Sequence, residues 1–179
     1  MSLPAKAFLL FSVLGGLLSG SARGQSGSQP PPGESPSFFP LRMEDSSALY
    51  FTPEQFGISA DGKRDVSDAL QRAINLVKTK NNFGILFIPE GRYRISRTIY
   101  IPTAVRLIGY GKKRPRIILQ DDAPGFQSPD STDKGKARYM FWFTSQIVQP
   151  GEPVHDAGAS TFYSALENID LEIGKDDSG

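Results

Sequence analysis

The 179-residue chain has no cysteine, one histidine and one tryptophan. Without cysteine there is no disulfide framework, no thiolate zinc site and no cysteine-linked lipid anchor, so stability must come from a core and from backbone hydrogen bonds. The lone histidine, His155, sits in a Pro- and Gly-bearing loop and makes no triad; a surface position is its default. Long apolar runs are also missing. Ala7 to Leu18 is twelve residues, too few for a bilayer, which takes about 20. With Lys6 ahead of it and small residues as far as Ala22 and Gly24, the stretch reads as the core of a signal peptide over residues 1–24. No stable membrane insertion is expected after its cleavage. The mature protein is expected in a periplasm or outside the cell, and the missing cysteines fit a bacterium better than a eukaryotic secretory route. Removing residues 1–24 takes away Lys6 and Arg23 and no acid, moving the net charge from +1 to about −1. That balance does not indicate a nucleic-acid partner.

Residues 25–50 are rich in Gly, Ser, Gln and Pro, with Pro30-Pro31-Pro32 among them, and read as a linker. The folded part is expected over residues 51–179. Asp65 is a good N-cap for a helix beginning at Val66, and Asp68 stands at N3, where an acid favours the helix N-terminus. Val66, Ala69, Leu70, Ala73, Ile74 and Val77 recur at three- and four-residue intervals, so one stripe of this helix covers something. Short apolar runs follow at Ile85–Ile88, Tyr93–Ile95, Ile99–Ile101, Val105–Ile108 and Ile117–Leu119. Turn residues separate them: Pro89 and Gly91, Pro102, Gly109 and Gly111, Pro115. The absence of a second amphipathic helix argues against a sheet with one crossover helix per strand. A parallel β-helix or an all-β sandwich remains.

Phe56, Gly57, Asp61, Gly62, Asp65, Ser67, Ala69, Leu70, Gln71, Ala73 and Ile74 fit the pattern FG-x-x-GDG-x-TD-D-T-x-AIQ-x-AI, with Ala60, Arg64 and Val66 as departures. This resembles the opening of the pectate-lyase-like superfamily domain found in rhamnogalacturonase, epimerase-like and phage tailspike proteins. Gly84 to Gly111 is similar to the first strands of that superfamily. Phe162 to Gly174 resembles a later coil in members allied to glycoside hydrolase family 55, the exo-β-1,3-glucanase group. The resemblance implies an all-β, right-handed parallel β-helix with one N-terminal capping α-helix. About 125 residues are too few for a complete β-helix of this kind, because each coil must cover the next. The sequence is therefore read as the N-terminal part of a longer protein, with catalytic residues expected beyond Gly179.

Within the chain, Asp170 and Glu172 alternate with Ile169, Leu171 and Ile173, which puts both acids on the outer face of a strand. Two residues along a strand is about 6.5 Å, inside the range in which an acid and a base flank a glycosidic bond. They are the candidate catalytic pair, and the plainer reading is a solvated exterior. Asn168-Ile169-Asp170 is faintly similar to the Asn-Thr-Asp of polygalacturonases, but the Gly-His-Gly and Arg-Ile-Lys elements of that family are absent. Asp61 and Asp65 invite a calcium reading, yet a turn and an N-cap explain both, and no metal site is assigned. Lys112, Lys113, Arg114 and Arg116 suit an anionic polysaccharide such as a uronan, with a solvated basic loop as the alternative. In Tyr139 to Phe143, strand alternation puts Tyr139, Phe141 and Phe143 on one face and Met140 and Trp142 on the other. Trp142 is the candidate sugar platform.

Three functions stay open. A secreted glycoside hydrolase acting on a β-glucan or pectic polysaccharide should carry outward carboxylates on neighbouring coils. A binding or structural module, adhesin- or tailspike-like, should carry outward aromatics without such acids. A pectate lyase should carry an acidic calcium cluster beside Arg or Lys; no cofactor is expected otherwise.

Overall fold

The computed structural model describes residues 35–127, 138–158, 162–175 and 177. The signal peptide expected at residues 1–24 and the first part of the linker lie outside these. The elements in chain order are β1 (Leu49–Tyr50), α1 (Pro53–Phe56), β2 (Asp61–Asp65), α2 (Ser67–Asn81), β3 (Gly84–Pro89), β4 (Arg92–Ile95) and β5 (Ile99–Pro102). They continue with β6 (Val105–Tyr110), β7 (Arg116–Leu119), β8 (Phe141–Thr144), β9 (Ala165–Glu167) and β10 (Asp170–Glu172). Every strand pairing is parallel. The strands form three sheets, β1-β3-β6-β9, β10-β7-β4-β2 and β5-β8, and successive strands pass from one sheet to the next. This is a parallel β-helix: β3, β4 and β5 make one coil, β6, β7 and β8 lie on it, and β9 and β10 start the coil after that.

Alternation along each strand decides what is inside. Leu86, Ile88, Tyr93, Ile95, Ile99, Ile101, Leu107, Ile117 and Leu119 are buried within the coils, and full burial of one such aliphatic side chain stabilises by about 1.5–3 kcal/mol. The Tyr93 hydroxyl donates to the Pro89 carbonyl at 2.8 Å, and burial pushes its phenol well above the ordinary value. Helix α2 closes the first coil with Ala69, Leu70, Ala73, Ile74 and Val77. It begins at Ser67, one residue later than the cap pattern suggests, and Asp65 still terminates it by accepting from the Ser67 N–H (2.8 Å) and hydroxyl (2.6 Å). Asp68 lies in the first turn and pairs with Arg97 at 2.7 Å. At the other end of α2, Lys78 Nζ donates to the carbonyls of Asn82 and Thr103, both at 2.9 Å. The apolar positions in and just after β10 are left open among the described residues: Leu171 and Ile173 are 48% and 49% exposed.

Two parts of the chain are more ordered than their composition suggests. Asp61–Asp65, read as loop, is a strand paired with β4 across a bulge. Residues 35–50, in the segment read as linker, form a strap over the outer face of β3 and β6. There Tyr50 stacks on Phe87 at 5.3 Å, Ala48 and Ile108 are buried with them, and Phe39 and Met43 pack alongside. Ser37 N–H donates to the Lys112 carbonyl, and Gly111 N–H to that of Phe39. Among the described residues no helix is long and apolar enough to cross a membrane.

Candidate functional site: the charged outer face

The outer face of the β10-β7-β4-β2 sheet carries the candidate acids. Asp170 stands in register with Arg116, Arg92 and Asp61, and Glu172 with Ile118, Arg94 and Asp65. Both acids point outward, as the alternation requires; the side chains that reach them are Arg116 and Arg114, while the carboxylates Asp61 and Asp65 lie farther along the same sheet. Arg116 Nη1 donates to Glu172 Oε2 at 3.0 Å, and Arg114 Nη1 lies 3.5 Å from Asp170 Oδ1. Arg116 is the more enclosed of the four side chains, at 16% exposure. The Nε atoms of Arg94 and Arg114 are buried without a hydrogen-bond partner among the described residues. The Arg114 guanidinium also lies over the Phe38 ring at 4.9 Å.

A cavity of about 130 Å³ opens on this face, lined by Glu90, Gly91, Arg92, Lys113, Arg114, Arg116 and Asp170. Four cations there face two acids, and Glu90 already accepts from the N–H groups of Lys112 and Lys113 at 2.9 and 3.2 Å. Beside it, a shallower hollow of about 460 Å³ is lined by Ser35, Arg116, Asp170, Leu171 and Glu172. Of the basic candidates, Lys113, Arg114 and Arg116 line the cavity. Arg92 and Arg94, not singled out from the sequence, join them on the face. Their signal was present in Arg92-Tyr93-Arg94-Ile95, where alternation sends both arginines outward.

Trp142 is elsewhere, on β8 of the two-stranded sheet, opposite Tyr100. It is half-buried, donates from Nε1 to Asp156 at 3.2 Å, and packs against Tyr139 and Tyr100 at 5.5 and 6.1 Å. Tyr139 therefore joins Trp142 instead of following Phe141 and Phe143 inward, because it precedes the strand and its alternation. The acids and the tryptophan do not share a site. His155 is exposed in a loop. Asp61 accepts from the Lys63 N–H at 2.9 Å, a turn contact. Partial burial opposes charge on Asp65, but hydrogen bonds from Ser67 and Ser96 outweigh it and hold the carboxyl below its ordinary range. Among the described residues no group of three or more His, Cys, Asp or Glu side chains is placed to hold a metal ion.

Comparison with known proteins follows the fold. A profile described as "Rhamnogalacturonase A/epimerase, pectate lyase-like" matches residues 53–175. The chain belongs to this rhamnogalacturonase A/epimerase, pectate lyase-like family. One relative of this family member is a capsule K30/K69-specific depolymerase of Klebsiella phage K64-1, 33% identical over 82 residues, which are 46% of the chain and 10% of the depolymerase. Among solved structures, PfbA, a surface adhesin of Streptococcus pneumoniae, matches at 15% identity and TM-score 0.37, covering 71% of the chain and 32% of PfbA. A ι-carrageenase complexed to ι-carrageenan fragments matches at 20% identity and TM-score 0.38, covering 78% and 30%. A family GH82 ι-carrageenase from A. fortis matches at 18% and 0.37, covering 78% and 41%. The chain thus spans a tenth of the curated relative and less than half of each solved one. The family match carries the superfamily part of the sequence resemblance; the glycoside hydrolase family 55 part rests on Phe162–Gly174 alone.

Proposed function

We propose that this chain is part of an exported polysaccharide-degrading β-helix protein, and that the segment described here binds acidic glycan rather than cleaving it. The observation that carries this is the pairing of each candidate acid with an arginine on a face whose cavity is lined by four cations and two acids. A general acid must hold a proton and a general base must be free to take one. Glu172, bound by Arg116, is poorly suited to either task. The same arginines suit the carboxylates or sulfates of an acidic polysaccharide, since guanidinium presents paired donors to planar and tetrahedral anions. The depolymerase relative supports a polysaccharide as the ligand class. Hydrolysis of a β-glucan or pectic chain by carboxylates outside the described residues is the companion proposal for the whole protein.

The test is affinity electrophoresis of the chain in gels containing polygalacturonate or neutral laminarin, alongside a reducing-end assay. Retardation by polygalacturonate alone, lost in Arg114→Ala/Arg116→Ala and weakened by salt, supports the proposal. Release of reducing ends that Glu172→Gln abolishes would overturn it and return Asp170 and Glu172 to the catalytic role.

A further inference from the structure

A second cleft lies on a different sheet, at the corner where the chain enters β3, β6 and β9. The ladder pairs Gly84 with Val105 and Arg106 with Ala165. Gly84 N–H donates to the Ala104 carbonyl and Ala104 N–H to that of Phe162, each at 3.0 Å, so the register continues one step before the strands. Phe83, Ala104 and Tyr163 therefore occupy the same position in three successive coils. The two outer members are large, aromatic and exposed, at 65% and 84%. The middle one is a methyl group.

That alternation of size makes a slot. Coils of a parallel ladder are about 4.7–4.9 Å apart, so Phe83 and Tyr163 start about 9.5 Å from one another. A flat ring between two aromatic faces needs about 3.5–4.0 Å on each side, which this spacing accommodates over the floor of Ala104. A cavity of about 300 Å³ is found there, lined by Asp45, Ser47, Phe83, Gly84, Ile85, Ala104, Arg106 and Tyr163, at the small end of the range for ligand sites. Ala104 and Tyr163, in line on successive coils, share a left-handed backbone φ of 64° and 62°, so the corner turns the same way in both.

We infer that this cleft is a binding subsite for one neutral pyranose unit of a glycan, clasped between Phe83 and Tyr163 over Ala104. Pyranose rings have apolar C–H faces and a polar hydroxyl edge. The cleft has apolar walls and floor, with polar groups of both kinds at its edge: the Asp45 carboxylate accepts, and the Arg106 guanidinium donates. Glu167 already pairs with Arg106, which leaves no cationic excess for a phosphate and disfavours a nucleotide between the rings. The assignment shares its carbohydrate chemistry with the proposed function but not its site, since Arg114 and Arg116 belong to the other face.

The experiment is saturation-transfer NMR on the full chain with methyl β-glucopyranoside, methyl β-galactopyranoside and adenosine 5′-monophosphate as probes. Tyr163→Ala and Phe83→Ala remove exposed rings and leave the core intact, as circular dichroism will verify; Ala104→Leu fills the slot instead. A pyranoside should receive saturation at its ring C–H protons, and each variant should weaken its binding at least about fivefold, within what one ring stack contributes. The same binding should survive in Arg114→Ala/Arg116→Ala. Absence of pyranoside binding to the unaltered chain, equal binding by Tyr163→Ala and Phe83→Ala, or preference for the nucleotide would each overturn the assignment. Those outcomes leave retardation by polygalacturonate untouched, so failure of this subsite and failure of the arginine face are separate results.

Discussion

The side-chain amide of Gln71 pairs with both backbone groups of Tyr100. Its Oε1 accepts from the Tyr100 N–H at 2.8 Å, and its Nε2 donates to the Tyr100 carbonyl at 2.9 Å. Among the described residues strand β5 pairs only with β8, so one side of it is an edge. A helix side chain supplies there what the next strand would supply, and blunts an edge that could template pairing with another chain.

Replacing Gln71 with Ala strands both Tyr100 groups under α2, at an expected cost of about 1–3 kcal/mol. Gln71→Glu keeps the acceptor but sets a carboxylate oxygen against the Tyr100 carbonyl, and should cost at least as much. Urea denaturation followed by far-ultraviolet circular dichroism checks both; wild-type midpoints in both variants would show that the pairing contributes nothing.

Gly109 has no room for a side chain. A Cβ there would lie 2.1 Å from the Asn168 carbonyl oxygen and 2.6 Å from the Pro115 ring. Gly109→Ala should force the corner between β9 and β10 to shift, with a loss of about 1–3 kcal/mol typical of overpacking. A thermal midpoint equal to that of the parent chain would contradict this.

Acid should weaken the attachment of α2 through Asp65. Its folded pKa lies below the reference of 3.8, so the unfolded chain takes up the proton first as pH drops. The stability it contributes is present above that value and is lost as pH falls through the lower, folded pKa. Asp65→Asn should lower stability at neutral pH and flatten its fall below about pH 4. Parallel stability–pH curves for the two proteins would rule the linkage out.

Glu172→Gln separates the two roles available to that residue. If Glu172 acts as the internal partner of Arg116, neutralising it releases the guanidinium, and polygalacturonate should bind more tightly, by about two- to tenfold. If it is a catalytic acid or base, binding changes little and turnover collapses. Titration calorimetry read beside the reducing-end assay tells the two apart.

What the sequence made legible was local. The runs at Ile85, Tyr93, Ile99, Val105 and Ile117 lie within a residue or two of the observed strands, and the stripe from Val66 to Val77 marks a helix that runs four residues further, to Asn81, because side-chain period and turn residues act over short distances. The outward placement of Asp170 and Glu172 was legible for the same reason. Their arginine partners were not. Register between β10 and β7 depends on the excursion through residues 120–164, whose length no local pattern interprets. The strap was hidden by composition: its prolines and serines resemble a linker, while Phe39, Met43 and Tyr50 find apolar partners only after β3 and β6 stand side by side. The slot between Phe83 and Tyr163 needed the stacking of three turns to become visible.

The hydrogen bond from Asn168 Nδ2 to the Ser37 hydroxyl joins residues 131 positions apart. Local turns and neighbouring coils form quickly, whereas contacts this distant carry a large loop-closure cost. The strap is therefore expected to settle after the coils it crosses, which unfolding rates of an Asn168→Ala variant would check: an unchanged rate rules it out. Interactions made so late slow unfolding while leaving the folding rate almost unchanged. On that expectation the stretch from Ser35 to Tyr50 is a latch on the lifetime of the folded state, a form of kinetic persistence suited to a chain with no cysteine among its 179 residues.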